Sequence, residues 1–209
     1  MKFRFFAVLP MLMAVYGCQH EAKPLSVASY NVYSSYSEKL PGRYLLYVDG
    51  SKLNKDIKPS DINCAAWNFP LKLSDGFSGS VVKTFGNLVS ELEQVNEMPT
   101  ADQVHSKGAK GIIIVRGEDL SGRLRVVPGF FQAGMETSVE VSASIVVDGP
   151  KGRLLGTTVS GHGDAQTGAG AFCEGGANSL VQAAEGAMKE VVGRLGEALV
   201  NSERVRKGL

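Results

Sequence analysis

The densest grouping of chemistry-bearing residues in the chain is Gly161-His162-Gly163-Asp164. A histidine two residues from an aspartate, set between glycines, could ligate a metal ion or orient an imidazole for hydrolysis. Either chemistry needs further groups. A metal site of the zinc type takes three or four ligands, and the other histidines are only His105 and the N-terminal His20. A hydrolytic triad needs a nucleophile held on a strained turn, and no G-x-S-x-G segment occurs. The expectation is a solvent-exposed loop with no metal and no catalytic residue. A hydrolase at the His162 loop, assisted by His105 or Glu118, is the competing reading. The glycines at 168, 170, 175 and 176 precede a helix and could cradle an anion at its N-terminus. No Walker lysine follows them and the G-x-G-x-x-G spacing is missing, while Glu174 would repel a phosphate. No cofactor is expected.

The elements that must position these residues follow from hydropathy periods. Tyr44-Leu45-Leu46-Tyr47-Val48 closes on the turn Asp49-Gly50 and reads as a buried strand. Residues 52–70 look irregular and hold Cys64 and the single tryptophan, Trp67. Phe77, Val81, Phe85, Leu88, Leu92 and Val95 recur at steps of four and three. That spacing predicts an amphipathic helix of about 20 residues from Ser74 or Asp75, stopped by Pro99. Polar residues then lead to Ile112-Ile113-Ile114-Val115, apolar on both faces and so a central strand.

A strand over 123–127 ends at Pro128-Gly129. Val139, Val141, Ala143, Ile145 and Val147 alternate with polar neighbours, the pattern of one buried and one wet face. The turn Asp148-Gly149-Pro150-Lys151-Gly152 returns the chain as a hairpin through Leu155, Thr157 and Val159. A Gly-rich loop over 161–176 carries the His162 cluster into a last helix striped by Leu180, Ala184, Met188, Val191, Leu195 and Leu199. Ser179 and Gln182 are spaced as its capping box, and Glu185–Lys189 and Glu190–Arg194 as outer-face pairs. The order β-α-β-β-β-β-α predicts an α+β domain: a mainly antiparallel sheet of about five strands with two long helices packed on one face.

At the N-terminus, Lys2 and Arg4 precede an almost wholly apolar stretch of 12 residues, 5–16. That is too short to span a bilayer, which takes roughly 20 residues, and it fits the apolar region of a secretory signal. The stretch closes on Val15-Tyr16-Gly17-Cys18, which resembles the bacterial lipobox. The resemblance implies cleavage after residue 17, a diacylglyceryl thioether on Cys18 and acylation of the new N-terminus. Two or three acyl chains hold a protein on a membrane, each buried methylene contributing roughly 0.8 kcal/mol. Gln19 stands where an aspartate would favour inner-membrane retention, so the resemblance points to the outer membrane, facing the periplasm. The alternative is an ordinary cleaved signal beside a chance cysteine.

Removing residues 1–17 leaves about 190, enough for one domain and a tether. Residues 18–41, polar and rich in Ser and Tyr, read as a flexible tether, with the domain over 42–205. Tyr30, Tyr33 and Tyr36 recur at every third position, as a docking stripe or as a loosely packed arm. Net charge is +1 and the isoelectric point is near 7.7, so no electrostatic case exists for nucleic acid. With Cys18 lipidated, Cys64 and Cys173 remain as an even pair in an oxidising compartment, read as one disulfide; two unpaired buried thiols are the alternative. Taken with residues 48–49, the Phe77 helix, residues 112–115 and the Leu180 helix, the domain resembles small α/β envelope lipoproteins such as the YajG family. It is also similar to the lipoprotein activators of penicillin-binding proteins and to the N-terminal domain of TolB. These resemblances imply a non-enzymatic lipoprotein that binds or scaffolds an envelope protein, anchored through its lipid. A lipid- or lipopolysaccharide-handling protein, with an apolar groove between helices and sheet, is the alternative.

Overall fold

The computed structural model describes residues 19–60, 64–130 and 133–208; the expected signal over residues 1–17 and Cys18 lie outside the described residues. Among the described residues the chain runs β1 (Leu40–Asp49), β2 (Asn54–Ile57), β3 (Phe69–Lys72), α1 (Ser74–Leu88), β4 (Val89–Val95) and α2 (Ala101–Ser106). It continues through β5 (Gly111–Val127), β6 (Gly134–Gly149), β7 (Gly152–Gly168), a 3-10 turn (Ala171–Cys173), α3 (Gly175–Val200) and α4 (Glu203–Lys207). The class is α+β, with a five-stranded sheet ordered β4-β1-β5-β6-β7 and β2–β3 as a separate hairpin. The sheet is mixed where a mainly antiparallel one was expected. β1 runs parallel to β4 and β5, while β5, β6 and β7 form an antiparallel meander.

The difference begins where α1 ends. Phe77, Val81 and Phe85 are fully buried on its inner stripe. The helix stops at Leu88, and Val89 is extended with its N–H donating to the Phe85 carbonyl. Leu92 and Val95 keep the helical spacing by coincidence; they belong to β4, whose 89–95 stretch pairs along β1. Two further elements follow from local chemistry. Thr100 and Gln103 form a reciprocal capping box that starts α2, and residues 54–57 pair antiparallel with 69–72 inside the segment expected to be irregular. The strands expected over 112–115 and 123–127 are one continuous β5, with a register shift between Gly117 and Asp119 that leaves Glu118 as the bulged residue.

α1 and α3 share one face of the sheet. The space between them and the sheet is filled by Tyr44, Leu46, Phe77, Phe85, Ile113, Val139, Leu180, Val191 and Leu195, all 1% exposed or less. Tyr44 spends its hydroxyl by donating to the Val205 carbonyl of α4 at 3.2 Å. Ser179 is not the cap of α3, which starts four residues earlier. It is buried, donating to the Gly176 carbonyl and sharing a 2.6 Å bond with Thr137 on β6. On the opposite sheet face, α2 covers a smaller cluster of Leu45, Ile112 and Ile114 with Tyr47, Val95, Val104 and Val146.

The expected tether is not free. Residues 25–35 lie along α1 and α3, and β1 starts at Leu40. The Ala28 and Tyr30 N–H groups donate to the Ser80 and Thr84 hydroxyls, each at 3.1 Å. The match is geometric: two residues of extended chain span about 6.6 Å, and four residues of helix about 6 Å. Leu25 and Val27 sit on Gly76 and Gly79 of α1, and Val32 on Gly196 of α3, where side chains on the helices would collide with the arm. Burial of the Tyr30 phenol raises its pKa, with the Ser80 hydroxyl opposing and Glu185 adding to the rise. Asn201 holds the far end, donating to the Tyr33 carbonyl and accepting from the Ser35 N–H. Arg206 stacks 3.8 Å over the Tyr36 ring. Of the three tyrosines, only Tyr33, 72% exposed, is turned fully outward.

Candidate functional site

His162 and Asp164 are on β7, not in a loop. Their flanking glycines are there because α3 crosses the strand at backbone contact: a Cβ on Gly163 would stand 2.0 Å from the Ala183 carbonyl oxygen, and one on Gly161 2.2 Å from that of Ala187. α3 also covers the strand's outer edge. Glu190 accepts the His162 N–H at 2.6 Å, Arg194 donates to the Ser160 carbonyl at 2.8 Å, and Arg194 pairs with Glu190. An edge strand of this length would otherwise offer open N–H and C=O groups to another chain. The Glu190–Arg194 pair read from the sequence thus serves the sheet edge.

The His162 and Asp164 side chains point to the far sheet face, bonded to each other at 2.7 Å and both more than half exposed. Strand register sets their neighbours. Arg123, Ser138 and Asp164 form one cross-strand row; Ser121, Glu140 and His162 form the next. Directly opposite residues of this kind stand about 5 Å apart. A third row, Asp119, Ser142 and Ser160, carries a 2.8 Å bond between the two serine hydroxyls. Arg125 and Glu136 form an ion pair at 2.7 Å, and with Ser60, Arg123 and Ser138 they border an open depression of about 610 Å³. The sheet face covered by α2 at one end is therefore a polar surface of mixed charge at the other.

The proposed helpers of His162 lie elsewhere on that face. His105 borders a cleft of about 470 Å³ with Pro99, Val104, Ile112 and Asp148. Asp148 is eight residues along β6 from Glu140, the partner of His162, or about 26 Å at 3.3 Å per residue. Glu118 accepts from the Ser144 hydroxyl at 2.6 Å and from Lys52 at 3.0 Å. Those two bonds, Ser144 first, hold its carboxyl below the usual carboxylate range. Ser144 is four residues along β6 from Glu140, so Glu118 does not reach His162 either. Among the described residues, no group of three or more His, Cys, Asp and Glu side chains is placed to hold a metal ion. The glycines before α3 serve packing: a Cβ on Gly175 would meet the Gly168 carbonyl oxygen at 1.8 Å, and the Gly175 N–H already donates to Ala169.

The second distinctive region is the end of the molecule where the N-terminus arrives. Cys64 and Cys173 are bonded there, their Cα atoms 6.0 Å apart, across a sequence separation of 109. Gln19 bridges to Asn68, and the His20 N–H donates to the Asn68 carbonyl at 3.0 Å. The His20 ring stacks 4.1 Å from Trp67 and bonds to the Phe172 carbonyl at 2.6 Å. Nothing in the sequence pattern marks His20 or Trp67 as a pair; the one signal is that both lie close to cysteines.

No family model matches the chain, and no curated protein does. Among solved structures it is similar to a protein of family-model DUF330 from Xanthomonas campestris, at 8% identity and a TM-score of 0.45, covering 90% of this chain and 96% of that one. It is also similar to a Helicobacter pylori protein described as a homolog of neuraminyllactose-binding hemagglutinin, at 9% identity and a TM-score of 0.49, covering 88% and 97%. A third likeness, to a hypothetical protein of Chlamydia trachomatis, has 10% identity and a TM-score of 0.35, covering 77% and 98%.

Proposed function

We propose that this protein is a lipid-anchored, non-enzymatic binding protein of the bacterial envelope, held on the periplasmic side of the outer membrane through Cys18. Its polar β5–β6–β7 face meets another envelope protein. The anchor rests on the resemblance of residues 15–18 to a lipobox. The observation that carries the binding face is the contrast between the two sides of the meander. One side is closed by α3, whereas the other presents Arg123, Ser138, Glu140, His162 and Asp164 to solvent in register. Fixed charges of both signs on a rigid sheet suit a complementary protein surface, where they set orientation and partner choice. The filled space between helices and sheet does not favour the lipid-handling alternative.

A photo-crosslinking residue at Ser138 or Glu140 should give a discrete protein adduct in intact envelopes, and Arg123→Glu should weaken it. The same residue at Lys189, on the outer side of α3, should not give that adduct. Adducts of equal yield from Lys189, or none from the sheet positions, would overturn the reading.

A further inference from the structure

The disulfide end carries two exposed aromatic side chains. Phe130, in the β5–β6 connection, is 94% exposed, and Phe172, in the β7–α3 connection, is 78% exposed. Phe172 is held in place. It sits in the left-handed region at φ 54°, between Gly170 at φ 68° and the bonded Cys173 at φ 67°. A non-glycine residue in that conformation costs free energy and persists only where its surroundings hold it. Here the disulfide and the His20 bond to the Phe172 carbonyl do so. The two connections are tied by the Ala169 N–H donating to the Ala133 carbonyl at 2.8 Å. Between them lies a shallow depression of about 340 Å³ bordered, among the described residues, by Ala133, Ala169, Gly170 and Ala171, with the exposed Glu174 side chain against Gly170 at its rim.

The occupant follows from the placement of Gln19 and His20. Gln19 is fixed to Asn68 and His20 to Trp67 and Phe172 at this same end. Cys18 is one peptide unit before Gln19, a Cα separation of about 3.8 Å. An acyl chain on Cys18 would therefore join the chain next to two residues fixed at this end. We propose that the disulfide end is the membrane-facing surface, with the Phe130 and Phe172 rings inserted into the leaflet that holds the acyl chains. The inference rests on the anchored reading above and adds an orientation to it. The polar β5–β7 face then stands upright from the bilayer, not flat against it, because both connections are at one end of the meander.

The test uses the full-length, lipidated protein in vesicles of phosphatidylethanolamine and phosphatidylglycerol, with part of the lipid brominated on its acyl chains. In a Trp67→Phe background, single reporters are placed by Phe130→Trp, Phe172→Trp or, at the opposite end in the β6–β7 turn, Lys151→Trp. Bromolipid should quench the first two reporters severalfold more than the third, and their emission should be blue-shifted. Equal quenching at all three positions in protein that co-floats with vesicles would overturn the orientation and leave the anchor standing. A blue shift that depends on protein concentration and not on bromolipid would overturn it in favour of a second copy. Failure to co-float, with an unmodified Cys18 by mass spectrometry, would overturn the anchored reading itself.

Discussion

The contact between β7 and α3 gives the sharpest quantitative expectation. Gly163→Ala would put a methyl carbon 2.0 Å from the Ala183 carbonyl oxygen and 2.7 Å from the Ala187 amide nitrogen, both backbone atoms that no rotamer change can move. Relieving the overlap to an ordinary contact of about 3.5 Å means moving α3 off the strand by more than about 1 Å. A gap of that size already forfeits a quarter to a half of each dispersion contact, and Ala183, Ala187 and Val191 lie along this seam with no exposed surface. The expected cost is about 3 kcal/mol, at the upper end of the range for overpacked cores. Gly161→Ala, with its Cβ 2.2 Å from the Ala187 oxygen, should behave alike. Gly86 is the internal control: it lies in α1 with open space around its Cα, so Gly86→Ala should stabilise by about 0.5–1 kcal/mol through helix propensity. Urea unfolding of the oxidised protein, followed by circular dichroism and by Trp67 fluorescence, measures all three. A Gly163→Ala variant within about 0.5 kcal/mol of the parent, the usual span for an exposed change, would refute the close-contact argument.

Three other outcomes are expected. Non-reducing peptide mapping should recover Cys64 and Cys173 as one linked species. Replacing both by alanine should cost up to about 4.7 kcal/mol, the chain-entropy value for a loop of this length; free thiols in protein purified without reductant would contradict this. Glu118 has a depressed folded pKa, through Ser144 and Lys52. Its contribution is therefore present above the unfolded value near 4.3 and lost as pH falls through the folded one. The stability gap between parent and Glu118→Gln should accordingly shrink on acidification, and a gap that stays constant or widens in urea midpoints measured down the acid limb would exclude the linkage. His162→Ala should change stability by less than about 0.5 kcal/mol, because its bond to Asp164 joins two exposed groups; a loss of several times that, or of a bound metal, would place His162 in a role this geometry does not give it.

What was legible in the sequence divides along a physical line. Patterns generated by one residue's own burial were readable: the 77-81-85 stripe, the alternation along 139–147, and the last helix all lie where periodicity puts them. The Cys64–Cys173 pair was readable from the cysteine count, and the fold supplies the Cα separation of 6.0 Å that a disulfide needs. Residues whose type is set by a neighbour distant in sequence were not. Gly161 and Gly163 beside a polar His162 and Asp164 read as a loop, because the reason for the missing side chains is the backbone of Ala183 and Ala187, some twenty residues away. Gly76, Gly79, Ser80 and Thr84 look like weak points in an apolar helix until residues 25–30 are laid across them. The same holds for Leu92 and Val95, helical in spacing but claimed by pairing along β1. In the candidate site this divide is complete. The identities of Arg123, Ser138, Glu140 and His162 are in the sequence, but their assembly is a matter of register, and the continuous β5 and the extension of β7 through Gly168 create that register. A polar surface built this way has no motif to find: each strand contributes one residue in two, and what makes them a surface is the closure of the other side by α3.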